Sequence, residues 1–261
     1  MRIWTIEVKN GLKRPSWGKL AETLGYALIA FLIYLAASSA GRFASGLDPS
    51  RAPGVELTFA SLFTGFGLLM LLMHSSEGAI AHLYESSDLL FLLASPLPEP
   101  AIYAYKLLRV ATVALRRGIF WLLPPWIAMT TISGPTLSFL IALPFGLIGL
   151  ALIASLTACL YMTALALLAR GRIMRAAVKI IYSLLILALA FGIVSFSSVS
   201  GEERLRAFER IYLYLGPMSS DWIPHVWACR ALMAHLGVEG MGSAWRWWGF
   251  IWGMALSLIH I

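Results

Sequence analysis

Residues 137–168, LSFLIALPFGLIGLALIASLTACLYMTALALL, form a long apolar stretch without a single charged side chain. A helix needs about 20 mostly apolar residues to cross a hydrocarbon layer about 30 Å thick. This stretch exceeds that length, so it predicts a membrane-spanning helix. The stretch therefore decides the fold class, which we expect to be all-α.

The composition of the whole chain agrees with a membrane protein. Hydrophobic residues make up 59%, charged residues only 13%, and the mean hydropathy is +0.79. A soluble domain carries roughly a quarter charged residues. Only two cysteines occur, so a disulfide framework is not expected. We predict a polytopic bundle of transmembrane helices in the cytoplasmic membrane of the cell.

Further apolar stretches lie on both sides of residues 137–168. Gly134 and Pro135 predict a tight turn directly before it. The preceding span contains Pro124 and Pro125, which predict a kink or a break in the helix. In all we predict six spans, at about residues 24–40, 57–73, 118–132, 137–168, 180–199 and from 245 to the end.

The basic residues between the spans predict the topology. Residues 1–19, 74–117 and 170–179 together hold 13 of the 20 Lys and Arg residues. Cytoplasmic segments carry this excess, so we place these three segments, and with them the N-terminus, in the cytoplasm. Orientation and anionic lipid headgroups then account for the net charge of +7, and no nucleic-acid partner is expected.

The domain organisation follows from these spans. We predict one transmembrane domain over residues 1–255, with an amphipathic cytoplasmic lead at 1–19. A cytoplasmic segment at 74–117 and an extracytoplasmic segment at 200–243 interrupt the spans. Residues 256–261, LSLIHI, match the translation of a transposon adapter used in sequencing libraries. We therefore expect the natural protein to continue beyond residue 255 with a different sequence.

The cytoplasmic segment 74–117 is the predicted docking site for a soluble partner. Acidic side chains could meet basic residues of the partner, apolar side chains could add contact area, and prolines would stiffen the turn. The residues with these roles are Glu77, Glu85, Asp88, Leu89, Leu90, Phe91, Pro96 and Pro98. The alternative is an interfacial helix that only covers the cytoplasmic face of the bundle.

A family resemblance comes from the same segment. The run ESSDLLFLLASPLP at 85–98, followed by AIYAYKLL at 101–108, resembles the corresponding region of ABC-2 type exporter permeases. The resemblance implies a short coupling helix between spans 2 and 3 that packs against an ATP-binding subunit. It also implies that ATP and Mg²⁺ are bound by that subunit. A homodimer, or a longer chain with a second half, would complete the pathway.

Enzymatic motifs are not found in the sequence. It has no G-x-x-x-x-G-K-[ST] phosphate loop, so ATP hydrolysis is expected on a partner chain and this chain is expected not to be an enzyme. His225, Cys229 and His235 do not have zinc-site spacing. We instead expect a re-entrant helix that Pro224 opens. No catalytic, cofactor or metal residue is predicted, and Glu22 is expected to pair with Lys19 or reach the interface.

Two other function classes stay open at this point. The first is an intramembrane enzyme or membrane assembly factor that works without a motor and uses residues 200–243 as a cap over its substrate. The second is a channel-like or scaffolding protein. Neither requires an ATPase at the 74–117 segment, so the identity of what binds there separates them from an exporter.

Overall fold

The computed structural model describes residues 17–45, 55–86, 88, 94, 96, 98–168, 180, 183–184, 220–238 and 240–260. Its longer elements there are all helical, which confirms the predicted all-α class. Six α-helices are described: α1 Trp17–Ser45, α2 Val55–Ala79, α3 Glu99–Ser133, α4 Leu137–Leu168, α5 Pro224–His235 and α6 Met241–His260. A short π-helical turn, Ile80–Tyr84, follows α2.

Three helical stretches of the described chain are long and apolar enough to cross a membrane. They are Leu20–Arg42, Glu56–Tyr84 and Leu137–Ala164. The predicted spans at 118–132 and from 245 onward are helical, but α3 begins with a charged segment and α6 is rich in Trp and Gly. Neither α3 nor α6 is among the three stretches that are long and apolar enough to cross a membrane. Most of the predicted span at 180–199, and residues 1–16 of the predicted lead, lie outside the described residues.

The second helix is longer than the predicted span at 57–73. It continues without a break through residues 74–79 and then through the π-helical turn to Tyr84. The run from 74 to 84 contains one glycine and no proline, so nothing in it stops a helix. The first eleven residues of the predicted cytoplasmic segment 74–117 therefore continue the helix before it, whereas the cytoplasmic placement of this segment stays a prediction.

Helix α3 is also longer than predicted. It begins at Glu99, where Pro98 is extended and Pro100 occupies the first turn, and it runs for 35 residues, or about 50 Å. Pro124 and Pro125 both lie inside this helix. The helix is therefore not broken at these prolines, whereas the predicted kink at Pro124 and Pro125 stays a prediction.

The turn between α3 and α4 confirms the prediction for Gly134 and Pro135. Gly134 adopts a positive φ of 79°, and its N–H donates to the carbonyl of Thr130 at 2.8 Å. Thr136 then caps α4, since its hydroxyl oxygen accepts the N–H of Phe139 at 3.1 Å. The chain thus reverses direction within three residues.

Helix α3 lies at the centre of the described bundle, in contact with α1, α2 and α4. Helices α2 and α3 approach each other closely at Gly67, where an added Cβ would lie 2.7 Å from the carbonyl oxygen of Trp121. Pro125 has no N–H, so this carbonyl lacks its usual donor one turn further along the helix. A glycine at 67 lets the two backbones meet at this point.

Helix α5 is short and enters the bundle. It packs against α2, α4 and α6, and eight of its twelve residues are buried. Pro224 is its first residue, as predicted. It ends in a Schellman motif, in which Gly237 has a φ of 81° and Val238 N–H donates to the Met233 carbonyl at 3.1 Å. At about 18 Å, α5 is too short to cross a membrane.

Candidate functional site

The connector between the π-helical turn and α3, residues 85–98, contains most of the predicted docking residues. Glu85, Pro96 and Pro98 are exposed on it, and Asp88 is partly buried. Leu89, Leu90 and Phe91 lie outside the described residues. Pro98 and Pro100 fix the entry of the connector into α3, because each locks its own φ angle.

Asp88 forms an ion pair within the chain. Its Oδ1 accepts a hydrogen bond from the Lys106 ammonium at 2.5 Å, and the same ammonium donates to the Ser86 hydroxyl at 2.7 Å. The side chain of Lys106 is only 2% exposed, whereas that of Asp88 is 38% exposed. The connector is therefore attached to the second turn of α3 by a lysine that is buried and held by two residues of the connector.

This ion pair persists over the physiological pH range. The hydrogen bond from Lys106 lowers the pKa of the Asp88 carboxyl group below its ordinary value. A carboxyl group with a lowered pKa stabilises the fold above its unfolded pKa, and this stabilisation is lost only as the pH falls through the lowered value. The attachment of the connector should therefore be the same at neutral and mildly acidic pH.

Glu77 lies in α2, about two turns before the connector, and not in a separate docking segment. Its side chain is half exposed, and its carboxylate is 3.6 Å from the Nδ1 atom of the buried His74. The His74 ring packs near Trp121 of α3, with 6.3 Å between ring centroids. Glu77 thus contacts a histidine of its own helix, and its role in docking stays a prediction.

A second ion pair joins α1 to α3. Arg117 donates to the carboxylate of Glu22 at 3.1 Å, and its guanidinium carbon lies 4.5 Å from the ring centroid of Tyr26. The expected pairing of Glu22 with Lys19, or its reach to the interface, stays a prediction, because the Lys19 side chain lies outside the described residues. Glu22 reaches across to α3 because Arg117 approaches from the neighbouring helix, which spacing along α1 could not indicate.

The interior of the bundle holds a polar cluster where α5 meets α2 and α3. The hydroxyl of Thr64 accepts a hydrogen bond from Trp126 Nε1 at 3.0 Å and lies 3.1 Å from Cys229 Sγ. The His225 ring packs against Gly65, where an added Cβ would be 2.9 Å from Nε2. Cys229 and His225 therefore meet polar atoms and backbone of α2. They help to hold α5 within the bundle.

The far end of α5 is tied to α4 and α6. The carbonyl of His235 accepts a hydrogen bond from the Thr136 hydroxyl at 2.7 Å, and Nε2 of its ring accepts one from Trp248 Nε1 at 3.1 Å. His235 and Cys229 thus have separate partners on different helices. The predicted re-entrant helix agrees with this placement of α5, which is buried and ends at the start of α4.

Thr64→Val tests the interior cluster. The change removes the acceptor of Trp126 Nε1, a fully buried donor, so we expect a loss of about 1–2 kcal/mol in the free energy of unfolding. Thr112→Val is the matched control, because the Thr112 hydroxyl is exposed and bonds only to its own helix. Denaturant titration in detergent measures both. Equal losses in the two variants would contradict the role of Thr64.

Sequence reasoning missed the two residues that organise these sites. Lys106 belongs to the run AIYAYKLL that carries the family resemblance. A basic residue in a polar stretch is usually exposed, so the sequence did not indicate that Lys106 is buried beside Asp88. Thr64 stands in an apolar run, where a single threonine usually bonds to its own helix. The position of Lys106 on the apolar face of α3 is the signal that could have indicated its burial.

The comparisons with known proteins agree with the sequence and the fold. The family described as "Putative ABC exporter" matches residues 9–261, which is nearly the whole chain. No curated protein and no solved structure matches the chain significantly. The helices that are long and apolar enough to cross a membrane fit a component of such an exporter. The chain therefore belongs to this ABC exporter family and is a membrane component of a transporter.

Proposed function

We propose that the chain is the membrane-spanning permease subunit of an ABC-2 type exporter in the cytoplasmic membrane. A separate ATP-binding subunit hydrolyses ATP and docks at the connector, on the cytoplasmic side. A homodimer, or a longer chain with a second half, completes the pathway. The observation that carries the proposal is the attachment of the connector to α3 through the buried Lys106.

This attachment gives a path for force. Movement of the connector reaches α3 directly, because Lys106 holds Asp88 and Ser86. Helix α3 then transmits the movement to α1 through the ion pair of Arg117 with Glu22. It transmits the movement to α2 through the contacts between the two helices. A docked subunit could thus shift α1, α2 and α3 together.

The energetic requirement is a difference in affinity between two states. Closure of paired ATP-binding subunits shifts the permease only if the closed pair binds one membrane conformation more tightly than the other. Asp88 is already paired with Lys106, so its carboxylate contributes less to an external contact than its exposure suggests. Glu85 is exposed at the start of the connector, so a basic cleft of a docked subunit can reach its carboxylate.

Glu85→Lys tests the docking. Like charges brought together at an interface cost several kcal/mol, so we expect the amount of ATP-binding subunit that co-purifies with the chain to fall about tenfold. The same change at Glu56, at the other end of α2, is the control and should leave co-purification unchanged. ATP hydrolysis by the purified complex is measured alongside.

Two outcomes would contradict this proposal. If Glu85→Lys retains the ATP-binding subunit at the level of the Glu56→Lys control, the connector is not where it docks. If no nucleotide-hydrolysing subunit co-purifies with the unaltered chain, the alternative of a motor-independent enzyme or assembly factor gains support.

A further inference from the structure

Two arginines converge on one tryptophan where α5 and α6 lie side by side. The guanidinium carbons of Arg230 and Arg246 are each 5.2 Å from the ring centroid of Trp247. Arg246 also lies 5.8 Å from the ring centroid of Phe250. We call these four residues the arginine–tryptophan patch. Its rings hold the two guanidinium groups in place, because cations are attracted to aromatic faces.

The two arginines differ in how their charge is balanced. Nε of Arg230 donates to the carboxylate of Asp221 at 2.8 Å, so this pair is neutral. Arg246 is exposed, and within the described part of the chain it has contacts with aromatic rings but no carboxylate partner. Among the described residues, the patch therefore carries one positive charge that the aromatic rings orient and no carboxylate neutralises.

The positive charge of the patch favours an anionic ligand. A guanidinium group matches the oxygens of a phosphate with parallel hydrogen bonds. An external cation is disfavoured, because the Trp247 ring already contacts two guanidinium groups and the net charge is positive. The recognised group is thus a phosphate or a similar oxyanion.

The surroundings of Arg246 are apolar and exposed. Trp245 is 74% exposed and Phe250 is 44% exposed, and Arg246 is the single Lys, Arg, Asp or Glu residue in α6. Exposed tryptophans beside a basic residue are typical of the interface between lipid headgroups and acyl chains. A ligand with a phosphate and an adjoining apolar chain fits this arrangement better than a free anion does.

We propose that the arginine–tryptophan patch is a binding site for the phosphate of an anionic phospholipid. The phosphate contacts Arg246, and an acyl chain follows the exposed side chain of Phe250, which lies on the same face of α6 as Arg246. The Asp221–Arg230 pair keeps the second guanidinium group from adding its charge. Lipid binding at this site does not require an ATP-binding partner, so the test of this proposal is separate from the test of the proposed function.

The test is a titration of phosphatidylglycerol and phosphatidylcholine into the detergent-purified full chain, with bound lipid counted by native mass spectrometry. We expect tighter binding of phosphatidylglycerol. Arg246→Gln should weaken it about fivefold, the effect of one basic residue near a lipid headgroup. Arg116→Gln is the matched control, because Arg116 is exposed on α3 and has no contact with the patch. Its binding should equal that of the unaltered chain.

Asp221→Asn gives a second test with the opposite sign. It removes one negative charge next to the patch and so makes its net charge more positive, and phosphatidylglycerol should bind about fivefold more tightly. A gain in affinity cannot result from misfolding. The proposal is overturned if Arg246→Gln binds phosphatidylglycerol like the control. It is also overturned if Asp221→Asn leaves the affinity unchanged, or if inorganic phosphate at equal concentration displaces the lipid.

Discussion

Lys106→Met is expected to lower ATP-driven transport by the reconstituted complex at least about tenfold while ATP hydrolysis continues. Methionine keeps the apolar stem in its buried position but removes the ammonium group that holds Asp88 and Ser86. The connector then moves without α3. Force from the docked subunit is lost before it reaches the bundle. The ratio of transport to ATP hydrolysis in proteoliposomes measures the effect.

A charge exchange shows which contact matters. Asp88→Lys combined with Lys106→Glu reverses the charge on the connector but restores the pair inside the chain. We expect this double variant to recover transport relative to either single change. No recovery would indicate that Asp88 acts by touching the partner. Transport by Lys106→Met at the level of the unaltered chain would contradict the attachment altogether.

Gly67→Leu is expected to lower the free energy of unfolding by about 3 kcal/mol, at the upper end of the cost of overpacking. The first atom of the new side chain would lie 2.7 Å from the Trp121 carbonyl oxygen and 2.8 Å from Leu122 Cδ2. The oxygen belongs to the backbone, so it cannot rotate away. Helices α2 and α3 must separate where α3 contains its prolines.

The control for this change is Gly249→Leu in α6. An added Cβ at Gly249 meets nothing within 4 Å, so the same side chain should alter stability by less than about 0.5 kcal/mol. Thermal and denaturant unfolding in detergent compare the two variants. Similar losses at both positions would show that added bulk in a helix, and not the approach of α2 to α3, is responsible.

Much of the fold could be predicted from the sequence, because apolar runs specify helices of membrane length. Helices α1, α2 and α4, and the turn at Gly134, lie where the runs and turn residues indicated. Helices α2 and α3 extend beyond the predicted spans for a physical reason. A helix does not stop where its side chains become polar, so α2 continues to residue 79 and α3 already begins at Glu99.

The contacts within the candidate site could not be predicted. Glu22 and Arg117 are 95 positions apart, and Thr64 and Cys229 are 165 apart. Periodicity tells which face of a helix is apolar, but it does not say which helix lies against that face. Glu85 and Asp88 were predicted as docking residues from their charge, whereas the internal partner of Asp88 required the position of α3 relative to the connector.

Both cysteines of the chain, Cys159 and Cys229, are buried within the helix bundle. No cysteine of this sequence is therefore expected to compete with an exposed thiol for a labelling reagent. A cysteine introduced at the exposed Pro96 would react with a membrane-impermeant maleimide while the two native thiols stay protected. Comparing the labelling of this cysteine in intact cells and in inverted vesicles would then show which compartment the connector faces.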